Sequence, residues 1–306
     1  MSIARSMLLW GSRNRWLAEQ ASRRAFVRRA VKRFMPGENL EAALGAAQAL
    51  ATSGIGSVLT ELGENVTTLE DAKAVTDHYV MVLGHVAERK LPAQISIKLT
   101  HMGLDLDPEA ARRDTVRLAR IAAETGETVW IDMEDSSYTD ATLDLYRRVR
   151  ETEPNVGLCL QAYLYRTAKD LETLLPLTPR IRLVKGAYNE PGTVAFPKKR
   201  DVDANYLVLA RVLLAHAREA SPVFGTHDMR IVGEIGRLAD ERQLPADAYE
   251  IHMLYGIGRA EQTALAAAGR RVRVLISYGG AWFPWYMRRL AERPANVWFV
   301  MRSLVK

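Results

Sequence analysis

The chain of 306 residues holds a single cysteine, Cys159, so no internal disulfide can staple it and no thiolate metal cluster can be built. That scarcity points to a reducing, cytoplasmic setting. No apolar run approaches the roughly 20 residues that a membrane-spanning helix needs, and a secretory apolar core with a cleavage site is also missing. Nor does a G-x-G-x-x-G stand between a strand-like and a helix-like run. Gly54-Ile55-Gly56 precedes a strand instead, which argues against an open dinucleotide-binding sheet. His78, His85, His101 and His216 do not fall at metal-ligand spacing, and no metal site is expected. Low-complexity tracts and short repeats are absent.

Acids are scarce at one end only. Residues 1–35 carry nine Arg and Lys against one acid, Glu19, whereas residues 36–306 carry 33 basic against 35 acidic residues. The net charge of +6 therefore belongs to an N-terminal arm. Its Met, Leu, Trp, Phe and Val lie among arginines at helical spacing, as in one or two amphipathic basic helices. Packing or self-association is the first reading of such an arm, and peripheral contact with an anionic membrane the second. A targeting peptide or a nucleic-acid arm has similar letters, but no nucleic-acid partner is expected. Pro36-Gly37-Glu38 separates the arm, 1–35, from a body of 36–306.

That body can supply a proper core, with 48% hydrophobic residues in the chain. After an Ala-rich helix at 40–51, short β-like runs alternate with amphipathic helices. Strands are expected at 56–62, 94–99, 128–133, 156–161, 180–185, 222–226, 249–253 and 271–276. Helices are expected at 69–88, 108–124, 139–151, 167–175, 202–219, 229–241, 259–268 and 281–292. Eight strands, each followed by a helix, predict an α/β fold closed as a (β/α)8 barrel, with a doubly wound open sheet as the rival.

In such a barrel the chemistry sits at the carboxyl ends of the strands. There stand Lys98, Asp132 with Met133, Gln161, Lys185 with Gly186, Thr226 with His227, and Leu254-Tyr255-Gly256, above strand bodies read as apolar. Side chains alternate across a strand, so Lys98 shares a face with Ser96, Asp132 with Trp130, and Gln161 with Cys159. Cys159 is then a small core residue rather than a nucleophile. Strand eight feeds Y-G-G-A-W-F-P-W-Y-M-R-R-L-A-E from Tyr278. Arg288 and Arg289 could clamp a small acid bidentately, although a surface salt-bridge helix with Glu292 gives the same letters.

Several runs together resemble monofunctional bacterial proline dehydrogenases. They are I-S-I-K-L-T-H-M-G-L-D-L-D from Ile95, I-D-M-E-D-S-S-Y-T from Ile131, Q-A-Y-L from Gln161 and R-L-V-K-G-A-Y-N-E-P from Arg182. A-F-P-K-K-R-D-V-D-A-N-Y from Ala195, G-T-H-D from Gly225, M-L-Y-G-I from Met253 and M-R-R-L-A-E-R-P-A-N-V-W-F-V from Met287 extend the match in order to the C-terminus. The resemblance implies a distorted (β/α)8 barrel that holds FAD and oxidises L-proline to Δ1-pyrroline-5-carboxylate, passing electrons to a quinone. The basic arm would suit docking at the inner face of a membrane.

Carried over by position, Lys98, Arg288 and Arg289 would grip the substrate carboxylate, Asp132 and Glu292 would complete the polar lining, and Tyr188 would wall the pocket. Met133, Gln161, Arg182, Val184, Lys185, Gly186, Ala187, Thr226 and His227 would bind the flavin, with Arg182 near flavin N5. A cation there stabilises a reduced, anionic flavin. Because Arg182 and Lys185 have opposite parity, the strand end must bend or bulge for both to reach the cofactor.

The family pattern breaks where Leu275 replaces a pocket tyrosine and where Trp285 replaces a second one. Asp132 then needs another donor, with Arg289 and Lys98 as the candidates. Both changes make the pocket more apolar, and so predict either L-proline or an analogue, hydroxylated or of another ring size, as substrate. His252 and Ile251 are smaller departures, for a usual glutamine and phenylalanine. Outside this class, Lys185 at a barrel strand end also suits a Schiff-base lyase or aldolase, and a non-catalytic acid-binding barrel is a third reading.

Overall fold

The alternation of short apolar runs and amphipathic helices closes into a ring. The computed structural model describes residues 31–287 apart from 219 and 284. Helix α1 (Leu40–Ala51) precedes β1 (Gly56–Glu61), and the chain continues through α2 (Leu69–Glu88), β2 (Ala93–Ile97), α3 (Pro108–Ala123) and β3 (Val129–Ile131). It then forms α4 (Thr139–Arg150), β4 (Val156–Gln161), α5 (Thr167–Leu174), β5 (Arg180–Val184) and α6 (Lys199–Ala215). Strands β6 (Val223–Gly225), β7 (Glu250–Leu254) and β8 (Arg271–Tyr278) alternate with α7 (Met229–Glu241) and α8 (Arg259–Ala267). Every strand pairs in parallel with its sequence neighbour, and β8 pairs with β1 to close the barrel, Gly56 opposite Arg273 and Glu61 opposite Tyr278. The predicted barrel is the fold, and the open sheet is excluded.

Local signals set the helix starts. Asn39, Thr68, Asp107 and Asp228 each accept a hydrogen bond from a first-turn amide of α1, α2, α3 and α7, contacts worth about 1 kcal/mol apiece. Helix α6 begins at Lys199, before the expected position 202. An i,i+4 ion pair between Lys199 and Asp203 extends its first turn. The last expected helix is helical at Trp282, Phe283 and residues 285–287, and its remainder lies outside the described residues.

Strand parity divides the core. Ile95, Ile97, Val129, Ile131, Leu158 and Leu160 face outward and bury against helix residues such as Leu118, Ala119 and Tyr146. The opposite faces carry Gln94, Ser96, Trp130 and Arg182, all buried. Trp130 packs there with Val58, Val223 and Leu275. The expectation of wholly apolar strand bodies is thus corrected, because charges also occupy the amino end of the barrel. There the Glu250 carboxylate accepts from Arg271, Arg273 Nε (3.1 Å) and His252 Nε2 (3.1 Å). Such ions survive burial because each has a partner.

The end of the basic arm is part of this body. Val31, Phe34 and Met35 are buried against Leu62, Trp282, Phe283, Trp285 and Tyr286. Glu38 fastens the same corner, its carbonyl accepting from Gly279 N at 2.9 Å and its carboxylate from Trp282 Nε1 at 3.2 Å. Gly256, at φ 76°, lies so close to the backbone of Arg33 that a Cβ there would stand 1.6 Å from the Arg33 carbonyl oxygen.

Candidate active site

The side chains at the carboxyl ends of β2, β3 and β5 converge around one guanidinium. Arg182 is only 3% exposed. Its Nη2 donates to Ser96 Oγ at 2.8 Å and to the Asp132 carboxylate, and its Cζ lies 4.9 Å from the centre of the Trp130 ring. Among the described residues the donor to Asp132 is Arg182 rather than Lys98, and Arg289, the other candidate, lies outside them. The other terminal nitrogen, Nη1, is buried and has no hydrogen-bond partner among the described residues. An unmet guanidinium donor in a dry site favours a ligand acceptor beside it. Lys98 stands just past β2, its Nζ 3.7 Å from the Glu64 carboxylate, which also accepts from Tyr188 OH at 3.4 Å.

The β3 and β4 ends are tied together. Gln161 Nε2 donates to the carbonyls of Met133 (3.3 Å) and Glu134 (3.2 Å), while its Oε1 is buried with no hydrogen-bond partner among the described residues. The Glu134 carboxylate accepts from Thr100 N at 3.0 Å and Thr100 Oγ1 at 2.6 Å. Thr100 in turn accepts from Asn65 N and Val66 N. One carboxylate thus joins the loops after β1, β2 and β3. Burial pushes its pKa up to about 7, against the two bonds from Thr100 and the Lys98 charge.

Past β5 the chain turns at Gly186, whose φ is 113°. A Cβ there would lie 2.3 Å from the Tyr163 ring, so the backbone passes close beneath that ring. The turn follows Lys185 rather than separating it from Arg182. Just before it Lys185 donates to Asp203 and to Asp228 (3.3 Å), and Val184 and Ala187 lie on either side of the turn. Burial opposes ionisation of Asp228, but the bonds and charges of Arg230 and Lys185 outweigh it and hold the carboxyl well below its usual range. Around the ring, Thr226 N donates to the His252 carbonyl (3.1 Å), and His227 Nε2 accepts from Leu254 N (3.0 Å). A cavity of about 540 Å3 opens here, lined by His227, Met253, Gly256, Gly258, Arg259 and Arg33 among others.

The two departures from the family pattern are not brought together. Leu275 packs inside the barrel on Trp130, Val58 and Val223. Trp285 belongs to the separate cluster that covers the end of the arm. Arg288, Arg289 and Glu292 lie outside the described residues. Cys159 is buried, and burial pushes its thiol up, as fits a core residue. His252 is buried edge-on to Trp130, at 5.7 Å and 77°. Burial lowers it to about 4 despite its bond to Glu250, which keeps it neutral.

Sequence reasoning did not assign roles to Ser96, Trp130, Glu134 or Gly157. Ser96 and Trp130 were within reach, because parity puts them on the faces of Lys98 and Asp132. Glu134 and Gly157 had no such signal, since their partners lie on other strands and loops. No group of three or more His, Cys, Asp or Glu among the described residues could hold a metal ion. No helix among them is long and apolar enough to cross a membrane.

Comparison with known proteins gives a consistent relation. The family model described as proline dehydrogenase matches residues 43–302. Proline dehydrogenase 1 of Bacillus subtilis is 37% identical over 304 residues, 99% of this chain and 100% of that protein. The proline dehydrogenase of Deinococcus radiodurans is 37% identical over 281 residues, 90% of each. Among solved structures, proline utilization A from Bdellovibrio bacteriovorus, inactivated by N-propargylglycine, superposes with a TM-score of 0.82 at 20% identity. That match covers 94% of this chain and 38% of the longer one, and shows the fold alone.

Proposed function

This chain belongs to the proline dehydrogenase family, a flavin-dependent family of oxidoreductases acting on proline, and from that premise we propose that the rim around Arg182 is an FAD site where L-proline becomes Δ1-pyrroline-5-carboxylate. The observation that carries the reading is the spare, buried Nη1 of Arg182. The donor set fits a flavin. Gln161 Oε1 and Arg182 Nη1 supply an unmet acceptor and an unmet donor, and Gly186, at φ 113°, lets the backbone turn closely at the strand end. Met133, Val184, Lys185, Ala187, Thr226 and His227 would complete the cradle.

The bound flavin supplies the two-electron acceptor. Proline loses its amine proton and, as hydride, a hydrogen of the ring carbon next to nitrogen, and a C=N bond remains. Lys98, with Arg288 and Arg289, would fix the carboxylate so that this carbon faces the cofactor. Arg182 contributes a fixed positive charge where negative charge develops, and Asp132 holds that charge in place. Glu292 and Tyr188 would close the pocket.

The Schiff-base reading fits less well. Lys185 is ion-paired with Asp203 and Asp228, the reverse of the apolar or cationic setting that activates an amine nucleophile. A second reading within the class has an observation behind it. Leu275 lines the barrel interior without a hydroxyl, which leaves a hydroxylated ring no partner there and favours an unsubstituted or larger ring. The electrons would pass to a quinone, with the basic arm, residues 1–35, docking peripherally on anionic lipid.

The visible spectrum of the purified chain tests the class: flavin bands are expected, and a colourless protein that takes up no added FAD overturns the reading. Anaerobic bleaching by proline, 4-hydroxyproline, pipecolate and azetidine-2-carboxylate then ranks the substrates. Proline is expected to bleach fastest. For the arm, loss of co-sedimentation with anionic liposomes on removing residues 1–30 is expected, and unchanged sedimentation refutes docking.

A further inference from the structure

We propose that Trp130 is a positioning residue for the reaction: its indole face is the platform on which the Arg182 guanidinium is held with Nη1 turned to the reacting site. This rests on the flavin reading above, but its geometry stands on its own. Trp130 and Arg182 sit on inward faces of β3 and β5, and β4 lies between those strands. For the large ring to reach across, the intervening strand must yield space, and it does so at Gly157. A Cβ at Gly157 would stand 2.5 Å from two carbons of the indole. That glycine is in register with Trp130 itself.

The ring is fixed on its other sides. Its Nε1 donates to Gln94 Oε1 at 2.6 Å, a bond buried inside the barrel. Val58, Val223 and Leu275 pack around it, and His252 meets it edge-on. A ring restrained in this way presents one face in one place, and the guanidinium lies 4.9 Å from its centre. Ser96 Oγ and Asp132 then take Nη2, so the orientation of the fork is set by three contacts. Those contacts leave Nη1 without a hydrogen-bond partner among the described residues. In a desolvated setting the cation–π contact is worth about 2 kcal/mol, or about 30-fold in a rate that depends on the position of the charge.

The position of Leu275 acquires a meaning from this arrangement. Leu275 is part of the wall that holds the platform, so its effect on the reaction runs through Trp130 and Arg182 as well as through the shape of the pocket.

The test uses the full chain as purified, in three forms: wild type, Trp130→Phe and Trp130→Leu, with Gln94→Met as a milder variant that keeps the ring but removes the bond that fixes it. The first readout is the arginine side-chain 15N–1H spectrum, in which Arg182, assigned by Arg182→Lys, is expected to carry a ring-current shift. Trp130→Leu should abolish that shift, Trp130→Phe should retain much of it, and Gln94→Met should broaden or move it. The second readout is the flavin midpoint potential together with the kcat against KM split. Trp130→Leu should lower kcat about 30-fold with KM for proline nearly unchanged, and make the flavin harder to reduce. Partial rescue by Trp130→Phe is expected.

A merely structural tryptophan gives a lower melting temperature with unchanged potential and kcat below it, and that result overturns the proposal. If Trp130→Leu does not fold, an Arg182 resonance and a potential unmoved by Gln94→Met overturn it. A colourless wild-type protein that proline does not reduce sinks the flavin reading and leaves the platform to be decided by the Arg182 shift, whose absence from the wild-type spectrum refutes it.

Discussion

Replacing Glu134 by glutamine should change how stability depends on pH. The carboxylate is 3% exposed and is fastened to Thr100 by two hydrogen bonds. Lys98 and Glu64 are the charges that face it, with opposite effects. Burial dominates and raises its pKa from 4.5 to about 7. A raised carboxyl means that the fold prefers the protonated form. Its contribution is therefore fully present below pH 4.5, declines as pH rises, and is lost above about 7. A displacement of this size corresponds to about 3 kcal/mol at 1.36 kcal/mol per pKa unit. Glutamine keeps the shape and cannot titrate, so the gap between wild type and Glu134→Gln should move by about that amount between pH 4.5 and 7.5, in favour of the variant at the higher pH. Urea midpoints across that range, with the m-value checked for constancy, provide the measurement. A gap between the two proteins that stays constant with pH would refute the reasoning, and would mean that solvent or a relaxed loop already pays the cost of the charge.

Other consequences can be checked alongside it. Arg182→Met leaves the Asp132 carboxylate without its guanidinium and removes the cation from the ring; it should cost about 3 kcal/mol in denaturant midpoint and abolish turnover. Arg182→Lys should keep most of the stability but lose turnover by more than tenfold, because an ammonium cannot meet Ser96, Asp132 and a ligand with one planar fork. Gly157→Ala should overpack the Trp130 slot, costing about 1–3 kcal/mol in thermal or urea unfolding. In acid, His252 is held neutral, so stability should fall as pH drops from about 6.5 towards 4, and His252→Gln should flatten that limb of the curve. Removing residues 1–35 should destabilise the barrel, since Val31, Phe34 and Met35 are buried against Trp282, Phe283 and Tyr286.

The order of elements was legible because each carries its own period. Leu69–Glu88 and Val156–Gln161 begin and end where the pattern places them, with a capping threonine at 68 and inward and outward faces set by alternation. Other boundaries drifted by one to four residues, as at both ends of α6 and at β3 (Val129–Ile131), because the end of an element is set by its tertiary partners. The strand-end groups were legible for the same reason, because parity alone sorts Lys98, Asp132 and Gln161 onto the inner rim. Partnership was not. That Asp132 pairs with Arg182 depends on two strands separated by a third, and that Leu275 and Trp285 occupy different clusters depends on where β8 ends and the following helix turns away.

The sequence by itself determined the barrel, the polar rim at its strand ends and the family of the chain, because hydrophobic period, strand count and the residues at strand ends are properties of neighbouring letters. Only the tertiary structure decided which charge answers which, that one tryptophan in a glycine slot underlies Arg182, and that the last residues of the basic arm belong to the core. Those are contacts between residues tens to hundreds of positions apart, and no local preference of the chain encodes the distance between them.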